Sequence, residues 1–231
     1  MKVVILAGGF GTRMAEYTDS IPKPMVKIGN KPILEHLINQ YSKFNYNDFI
    51  IALGYKGDVV KEYFKNNKSK LNINLIETGQ NTMTGGRLKR LKKEIGNNTF
   101  MMTYGDGLSN VNLNKLLEFH KKSKKLVTVT AVRPPARFGF IKFRENKVIS
   151  FKEKSKLDVG WINGGFFVME PKFLDYIKND ATYLEREPLE KLVKDDQMAA
   201  YKHEGFWQCM DTLRDKTLLD DMIKQNKAPW I

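Results

Sequence analysis

The 231-residue chain predicts an α/β fold: a Rossmann-like, mainly parallel sheet flanked by helices, followed by a mixed α+β part. Three observations carry this expectation. Short apolar runs alternate with segments that are apolar at helical spacing over the first 132 residues, the pattern of repeated strand-crossover-strand units. Glycine-bearing turns follow three of those runs, where open α/β sheets carry ligands. Pro134-Pro135 then breaks the alternation, and the strands that follow are shorter.

In order, Val3 to Ala7 reads as a strand, and Pro32 to Phe44 as a helix with Ile33, Leu34, Leu37, Ile38 and Tyr41 on one face. Asp48 to Leu53 is a second strand, Asp58 to Phe64 a helix, Leu71 to Ile76 a strand and Gly86 to Ile95 a basic helix. Thr99 to Tyr104 is apolar enough for a strand buried on both faces. Leu113 to Lys122 is helical, and Leu126 to Val132 is rich in Val and Thr, as strands are. Beyond the prolines, strands are expected at Phe140 to Phe143, Val148 to Lys152 and Gly164 to Met169. Helices are expected at Pro171 to Ile177, Glu187 to Lys194 and Thr212 to Ile223.

The first turn is the most informative segment. Leu6-Ala7-Gly8-Gly9-Phe10-Gly11-Thr12-Arg13 empties directly from the first strand. Gly8, Gly9 and Gly11 can take φ > 0 and hold no ligand off. Successive backbone N–H groups can therefore converge on one anion, with Thr12 adding a hydroxyl and Arg13 a forked cation. Pro22 and Pro24 stiffen the chain around Lys23. A fixed cation facing a phosphate cradle points to triphosphate chemistry. A dinucleotide fingerprint would need glycine at Met14, and no Gly-Lys-Ser/Thr closes an ATPase loop. An ordinary glycine-rich turn is the plainer reading of these eight residues alone, and Lys23 weighs against it. Asp106, between Gly105 and Gly107, is a carboxylate that metal and phosphates can approach, which suits Mg²⁺. Taken alone, such an Asp is more often a turn residue.

These residues resemble the signature of the sugar-1-phosphate nucleotidyltransferases. Met83-Thr84-Gly85-Gly86-Arg87-Leu88-Lys89-Arg90, Thr103-Tyr104-Gly105-Asp106-Gly107, Arg137-Phe138-Gly139, Asn163-Gly164-Gly165-Phe166-Phe167, Gly205-Phe206-Trp207-Gln208 and Met210-Asp211-Thr212-Leu213-Arg214-Asp215 narrow the resemblance to the family's cytidylyltransferases, from Met1 to Trp230. The resemblance implies the nucleotide-diphospho-sugar transferase type of fold in a single domain, 1–231. Residues 1–132 would mainly bind nucleotide; 133–231 would mainly bind sugar and supply a second metal carboxylate. The implied substrates are CTP and a sugar 1-phosphate, α-D-glucose 1-phosphate foremost, with Mg²⁺ on Asp106 and Asp211. Arg13 and Lys23 would be catalytic. Leu6, Ala7, Gly8, Gly9, Gly11, Thr12, Arg13, Lys23, Thr82, Arg87 and Gly105 would hold the nucleotide, and Glu153, Lys154, Asn163 and Gly164 the sugar phosphate. Arg87 could donate to a cytosine carbonyl; the bland alternative places it on the polar face of a basic helix, which is how Lys89 and Arg90 are read.

Other substrate pairs stay open, with dTTP or UTP, or with a heptose phosphate or phosphocholine as acceptor. So does a non-catalytic, nucleotide-sugar-binding regulatory subunit, which should have lost Lys23, Asp106 or Asp211; all three are present. A homo-oligomer is expected, but its order is not carried over from the resembled enzymes: the connection between residues 64 and 72 is shorter here, and such an excursion can carry subunit contacts. Ser155 and Cys209 stand where those enzymes usually carry proline.

Composition fits an enzyme of this kind. At 42% hydrophobic and 11% aromatic content the chain can bury a full core. The single cysteine, Cys209, allows no internal disulfide, no apolar run approaches a membrane span, and Met1-Lys2 leads into a strand, so a cytoplasmic location without membrane contact is expected. The 39 Lys plus Arg against 26 Asp plus Glu give a net charge of +13. Lysine runs such as Lys121-Lys122-Ser123-Lys124-Lys125 read as solvated helix faces, and no nucleic-acid recognition pattern accompanies them, so nucleic acid is not an expected partner. His36, His120 and His203 share no motif and read as structural or surface residues.

Overall fold

In β1 (Lys2–Leu6), Val3 and Ile5 enter one core layer while Val4 and Leu6 enter the other, because successive strand side chains point to opposite faces. All four are buried, so the strand is covered on both sides. This computed structural model describes residues 1–14, 18–66, 71–135, 140–152 and 160–231, with the side chains of Arg13, Phe140 and Lys152 outside that description. A small hairpin follows, β2 (Lys27–Ile28) with β3 (Lys31–Pro32). Next come β4 (Asp48–Leu53), β5 (Asn72–Glu77), β6 (Phe100–Tyr104), the short β7 (Gly107–Ser109) and β8 (Val127–Val132). β9 (Phe140–Arg144) and β10 (Lys147–Lys152) form a second hairpin, and β11 (Ile162–Met169), β12 (Met198–His203) and β13 (Trp207–Cys209) complete the set among the described residues.

Seven strands make one sheet in the order β12-β8-β11-β6-β1-β4-β5. β4 and β6 flank β1 in parallel, and β5 continues in parallel beyond β4. Only β11 runs antiparallel, between β6 and β8. The carboxyl ends of β1, β4, β5 and β6 therefore share one edge with the start of β11. Helix Ile33–Ser42 packs Ile33, Leu34, Leu37, Ile38 and Tyr41 onto one face of the sheet, beside Leu219 of the carboxy-terminal helix Leu213–Lys224. Leu88, Leu91 and Ile95 cover the opposite face with Phe173, Leu174 and Leu192.

The expected strands and helices recur, with the short β2, β3, β7 and β13 in addition and three further differences. The basic helix expected over Gly86 to Ile95 is two helices, Thr84–Arg90 and Lys92–Ile95, because the Leu91 N–H bonds Leu88 O three residues back and tightens the turn. Pro171–Tyr176 is a 3₁₀ helix, with Phe173 N bonded to Glu170 O and Ile177 N to Leu174 O. β12 was not expected: Met-Ala-Ala-Tyr-Lys-His carries few β-branched residues and forms because β8 offers it a full parallel register at the sheet edge. Among the described residues no helix is long and apolar enough to cross a membrane.

Gln40 is mismatched to its core position. Both its amide atoms are buried in helix Ile33–Ser42 without a hydrogen-bond partner among the described residues. Gln40→Met keeps the volume and removes the unpaid desolvation, so unfolding stability should rise by about 1 kcal/mol. Urea denaturation of both proteins reads this, and an unchanged or lower midpoint would refute it.

Candidate active site

The glycine loop opens from β1 onto a crevice of about 570 Å³ at the carboxyl edge of the sheet. Of the three glycines free to adopt φ > 0, only Gly11 does, at 65°. Gly8 is required for another reason: a side-chain carbon there, or at Gly54, would collide with the Arg87 guanidinium. Gly105 N bonds Leu6 O at 3.0 Å, and a methyl on Gly105 would press on Leu6 O and Pro24, so three loops meet where a side chain has little room.

Lys23 stands in the 3₁₀ turn Lys23–Met25, entered through extended Pro22. Only 7% exposed, it donates from Nζ to Asp106 Oδ2 at 2.7 Å and to Asp211 Oδ1 at 2.6 Å. Burial pulls its pKa down, but the charges of Asp106 and Asp211 and their hydrogen bonds outweigh this and the net shift is upward. The ammonium stays charged.

Two carboxylates 105 residues apart in sequence meet through a short ladder: β7 and β13 pair antiparallel with Gly107 opposite Cys209, and Met210 N bonds Asp106 O at 2.8 Å. Asp215 fixes the second. Its Oδ2 accepts from Asp211 N at 3.1 Å and Thr212 N at 2.9 Å, while Thr212 Oγ1 accepts from Asp215 N, closing a capping box at helix Leu213–Lys224. Gln208 Nε2 donates to the other oxygen, Oδ1, at 3.0 Å. Two hard oxygen donors around one cationic position fit Mg²⁺, which takes one or two protein carboxylates and completes its shell with water and phosphate. No third metal-binding side chain joins them among the described residues.

Four further segments bring residues of the sequence reading into the crevice wall. Residues 6–12 of the first loop, Thr82, Arg87 and Gly105 line it on the nucleotide side of the sequence reading, and Asn163 and Gly164 on the sugar side. Asn163 Oδ1 accepts from Gly165 N at 2.8 Å, in a register shift of β11 where Gly165 has φ 73°; Gly164 O accepts from Trp207 Nε1 at 2.7 Å. The expectations for Glu153, Lys154 and the Arg13 side chain, and for Arg137-Phe138-Gly139, lie outside the described residues.

Thr84-Gly85-Gly86-Arg87 gains a physical reason. The N–H groups of Gly85 and Gly86 both bond Thr182 O, and methyl groups on these glycines would collide with backbone at 180–182. This close packing drives Arg87 into the wall, where burial lowers its pKa, aided by Arg90 and opposed by Glu77.

Sequence reasoning missed Glu185. Its Oε1 accepts from Tyr104 Oη at 2.8 Å and its Oε2 from Thr84 Oγ1 at 2.7 Å, at the crevice rim beside Asn163, whose Nδ2 lies 3.4 Å from Tyr104 Oη. Burial first, then the Glu185 charge, pushes the Tyr104 phenol up. No spacing in Thr-Tyr-Leu-Glu-Arg-Glu marks the position; only the fold brings it there. Cys209 also lines the crevice, but burial and the charges of Asp211, Asp106 and Asp215 push its thiol up to about 12, so it is no nucleophile at neutral pH. The histidines are structural: His36 Nε2 pairs with Ile28 O, His120 Nδ1 with Thr128 Oγ1 and His203 Nε2 with Phe206 O.

This geometry has relatives. The family model described as Nucleotidyl transferase matches residues 2–215. A glucose-1-phosphate cytidylyltransferase of Salmonella typhimurium is 46% identical, over 100% of this chain and 98% of its own, and a probable glucose-1-phosphate cytidylyltransferase of Bacillus subtilis is 42% identical, over 100% and 99%. The crystal structure of HddC from Yersinia pseudotuberculosis superposes with a TM-score of 0.77 at 25% identity, covering 96% of this chain and 99% of that one. With the crevice, its lysine and its carboxylate pair in the matched segment, the chain belongs to the nucleotidyl transferase family.

Proposed function

We propose that this chain transfers CMP from CTP to a sugar 1-phosphate, most specifically α-D-glucose 1-phosphate, releasing pyrophosphate and forming CDP-glucose. The observation that carries the reading is Lys23 held between Asp106 and Asp211 at the mouth of the glycine loop. The named relatives, similar over the whole chain, support the choice of CTP and glucose 1-phosphate.

The sugar-phosphate oxygen that attacks the α-phosphorus is already anionic at neutral pH, so no general base is needed, consistent with the structural roles of the histidines. The requirement is to align two anions and neutralise the charge that spreads over the α-phosphate. In our reading the residue 8–13 loop holds the triphosphate, with Arg13 on the leaving pyrophosphate and Lys23 on the reacting phosphate. Thr82, Arg87 and Gly105 border the base. Asn163, Gly164, Glu153 and Lys154 take the sugar phosphate. Asp106 and Asp211 would hold Mg²⁺, which when bound supplies charge neutralisation at the phosphate oxygens. Glu185 repels phosphate and so belongs with the neutral, hydroxyl-bearing part of a substrate.

Pyrophosphate release, assayed with Mg²⁺ across CTP, UTP, dTTP, GTP and ATP against a panel of sugar 1-phosphates and phosphocholine, tests the reading. Turnover confined to CTP with glucose 1-phosphate is expected. Turnover with another pair would move the substrate, and silence across the panel would refute the catalytic reading.

A cytoplasmic homo-oligomer completes the proposal. Supporting self-association, Ile141, Phe143, Val148 and Phe151 share one face of the β9–β10 hairpin, where Phe143 pairs with Val148 and Ile141 with Phe151, yet they are 46–69% exposed. Phe143→Glu should lower the mass measured by light scattering at equal protein concentration; an unchanged mass would remove the hairpin from any subunit contact.

A further inference from the structure

Arg87 reaches the ends of three parallel strands at once. Its Nη1 donates to Leu53 O at 3.0 Å, at the end of β4, and to Thr78 Oγ1 at 2.8 Å and Gly79 O at 2.7 Å, after β5. Its Nη2 donates to Gln80 O at 3.1 Å and to Gly8 O at 2.8 Å, after β1. The Gly8 carbonyl is held a second time, by Tyr55 N at 3.1 Å. The guanidinium is thus aimed at the protein.

The consequence follows from peptide geometry. In a trans peptide the C=O of one residue and the N–H of the next point in opposite directions. All peptide bonds described here are trans. With Gly8 O turned into the wall, the Gly9 N–H must point away from the wall, on the side where Gly9 is exposed and a methyl group would meet nothing within 4 Å. We propose that Arg87 is a positioning residue: by pinning the Gly8 carbonyl it orients the Gly8–Gly9 peptide so that the Gly9 N–H donates to the nucleotide's phosphates, and its effect on binding is independent of the base. The inference rests on the crevice being a nucleoside triphosphate site. It explains why the glycines at 8 and 54 leave room for a guanidinium.

Inorganic tripolyphosphate, which has no base, separates this role from base reading. Binding of tripolyphosphate, CTP and UTP is measured by calorimetry for the unaltered protein, Arg87→Lys and Thr78→Val. Lysine keeps the charge and loses the fork; valine removes one acceptor and leaves the guanidinium in place. Arg87→Lys should weaken all three ligands by one common factor of about 10- to 100-fold, the value of a charge-assisted hydrogen bond. The KM for glucose 1-phosphate should stay unchanged, which a general loosening of the fold would not allow. Thr78→Val should produce a smaller factor, again common to all three. Loss confined to CTP, or unaltered tripolyphosphate binding in Arg87→Lys, overturns the proposal; if Arg87→Lys does not fold, unaltered tripolyphosphate binding in Thr78→Val does so. An unaltered protein that binds neither tripolyphosphate nor CTP refutes the underlying triphosphate reading instead.

Discussion

Lys23→Met is expected to lower kcat by about 10²- to 10³-fold, the cost of removing one preorganised charge-stabilising group, while tightening Mg²⁺ binding to the free protein. The two effects share a cause. Lys23 Nζ lies within 2.7 Å of both Asp106 and Asp211, so in the free protein it neutralises the same carboxylates that would hold the metal. Its removal leaves the pair uncompensated and a stronger cation site. During turnover the same removal leaves the reacting phosphate without its fixed cation. The carboxylates are 31% and 16% exposed, so the stability loss should fall short of the about 3–5 kcal/mol typical of breaking a fully buried pair. Steady-state kinetics and Mg²⁺ titration of the free protein check this. Near-normal kcat would reduce Lys23 to a structural role, and unaltered metal affinity would mean that lysine and metal do not compete.

Much of the fold was legible because its strands are buried on both faces. Val3-Val4-Ile5-Leu6 and Phe100-Met101-Met102 form continuous apolar runs, and Val127 to Val132 interleaves Val and Ala with Thr, all buried, as expected of strands covered on both faces. Illegible features depend on neighbours. β12 is a weak strand former recruited by β8. The insertion of antiparallel β11 between β6 and β8 is a matter of topology that local pattern does not encode.

For the candidate site, the sequence showed which loops share the crevice edge, because turns after parallel strands must lie there. The reason for particular residues was less visible. Gly8 looked like a phosphate-facing glycine, yet its missing side chain makes room for Arg87 behind the loop. Arg87 looked like a base contact, yet its described bonds run to protein acceptors from residues 8 to 80. Glu185 carried no motif and is held by Tyr104 and Thr84, about 80 and 100 residues earlier in the chain. Long-range hydrogen bonds of this kind leave no period in a sequence.

Asp106→Asn and Asp211→Asn should each lower kcat by more than the about 10- to 100-fold that loss of a metal ligand's supporting partner costs, and each should raise the Mg²⁺ concentration needed for half-maximal rate. Asn is isosteric, so the backbone bonds at Asp106 O and Asp211 N, which set the two turns, can persist. The informative variant is the double substitution. If both carboxylates serve one cation, removing the first already forfeits most of what the second contributes, and the double variant should lose little more than the worse single one. Losses that multiply would instead mean independent tasks, one carboxylate on the metal and the other restraining Lys23, to which each is bonded. Asp215 supplies the comparison: it holds the Asp211 backbone, so Asp215→Asn should weaken metal activation within the 10- to 100-fold range. A larger loss in Asp215→Asn than in Asp211→Asn would place the functional carboxylate one helical turn away from Asp211.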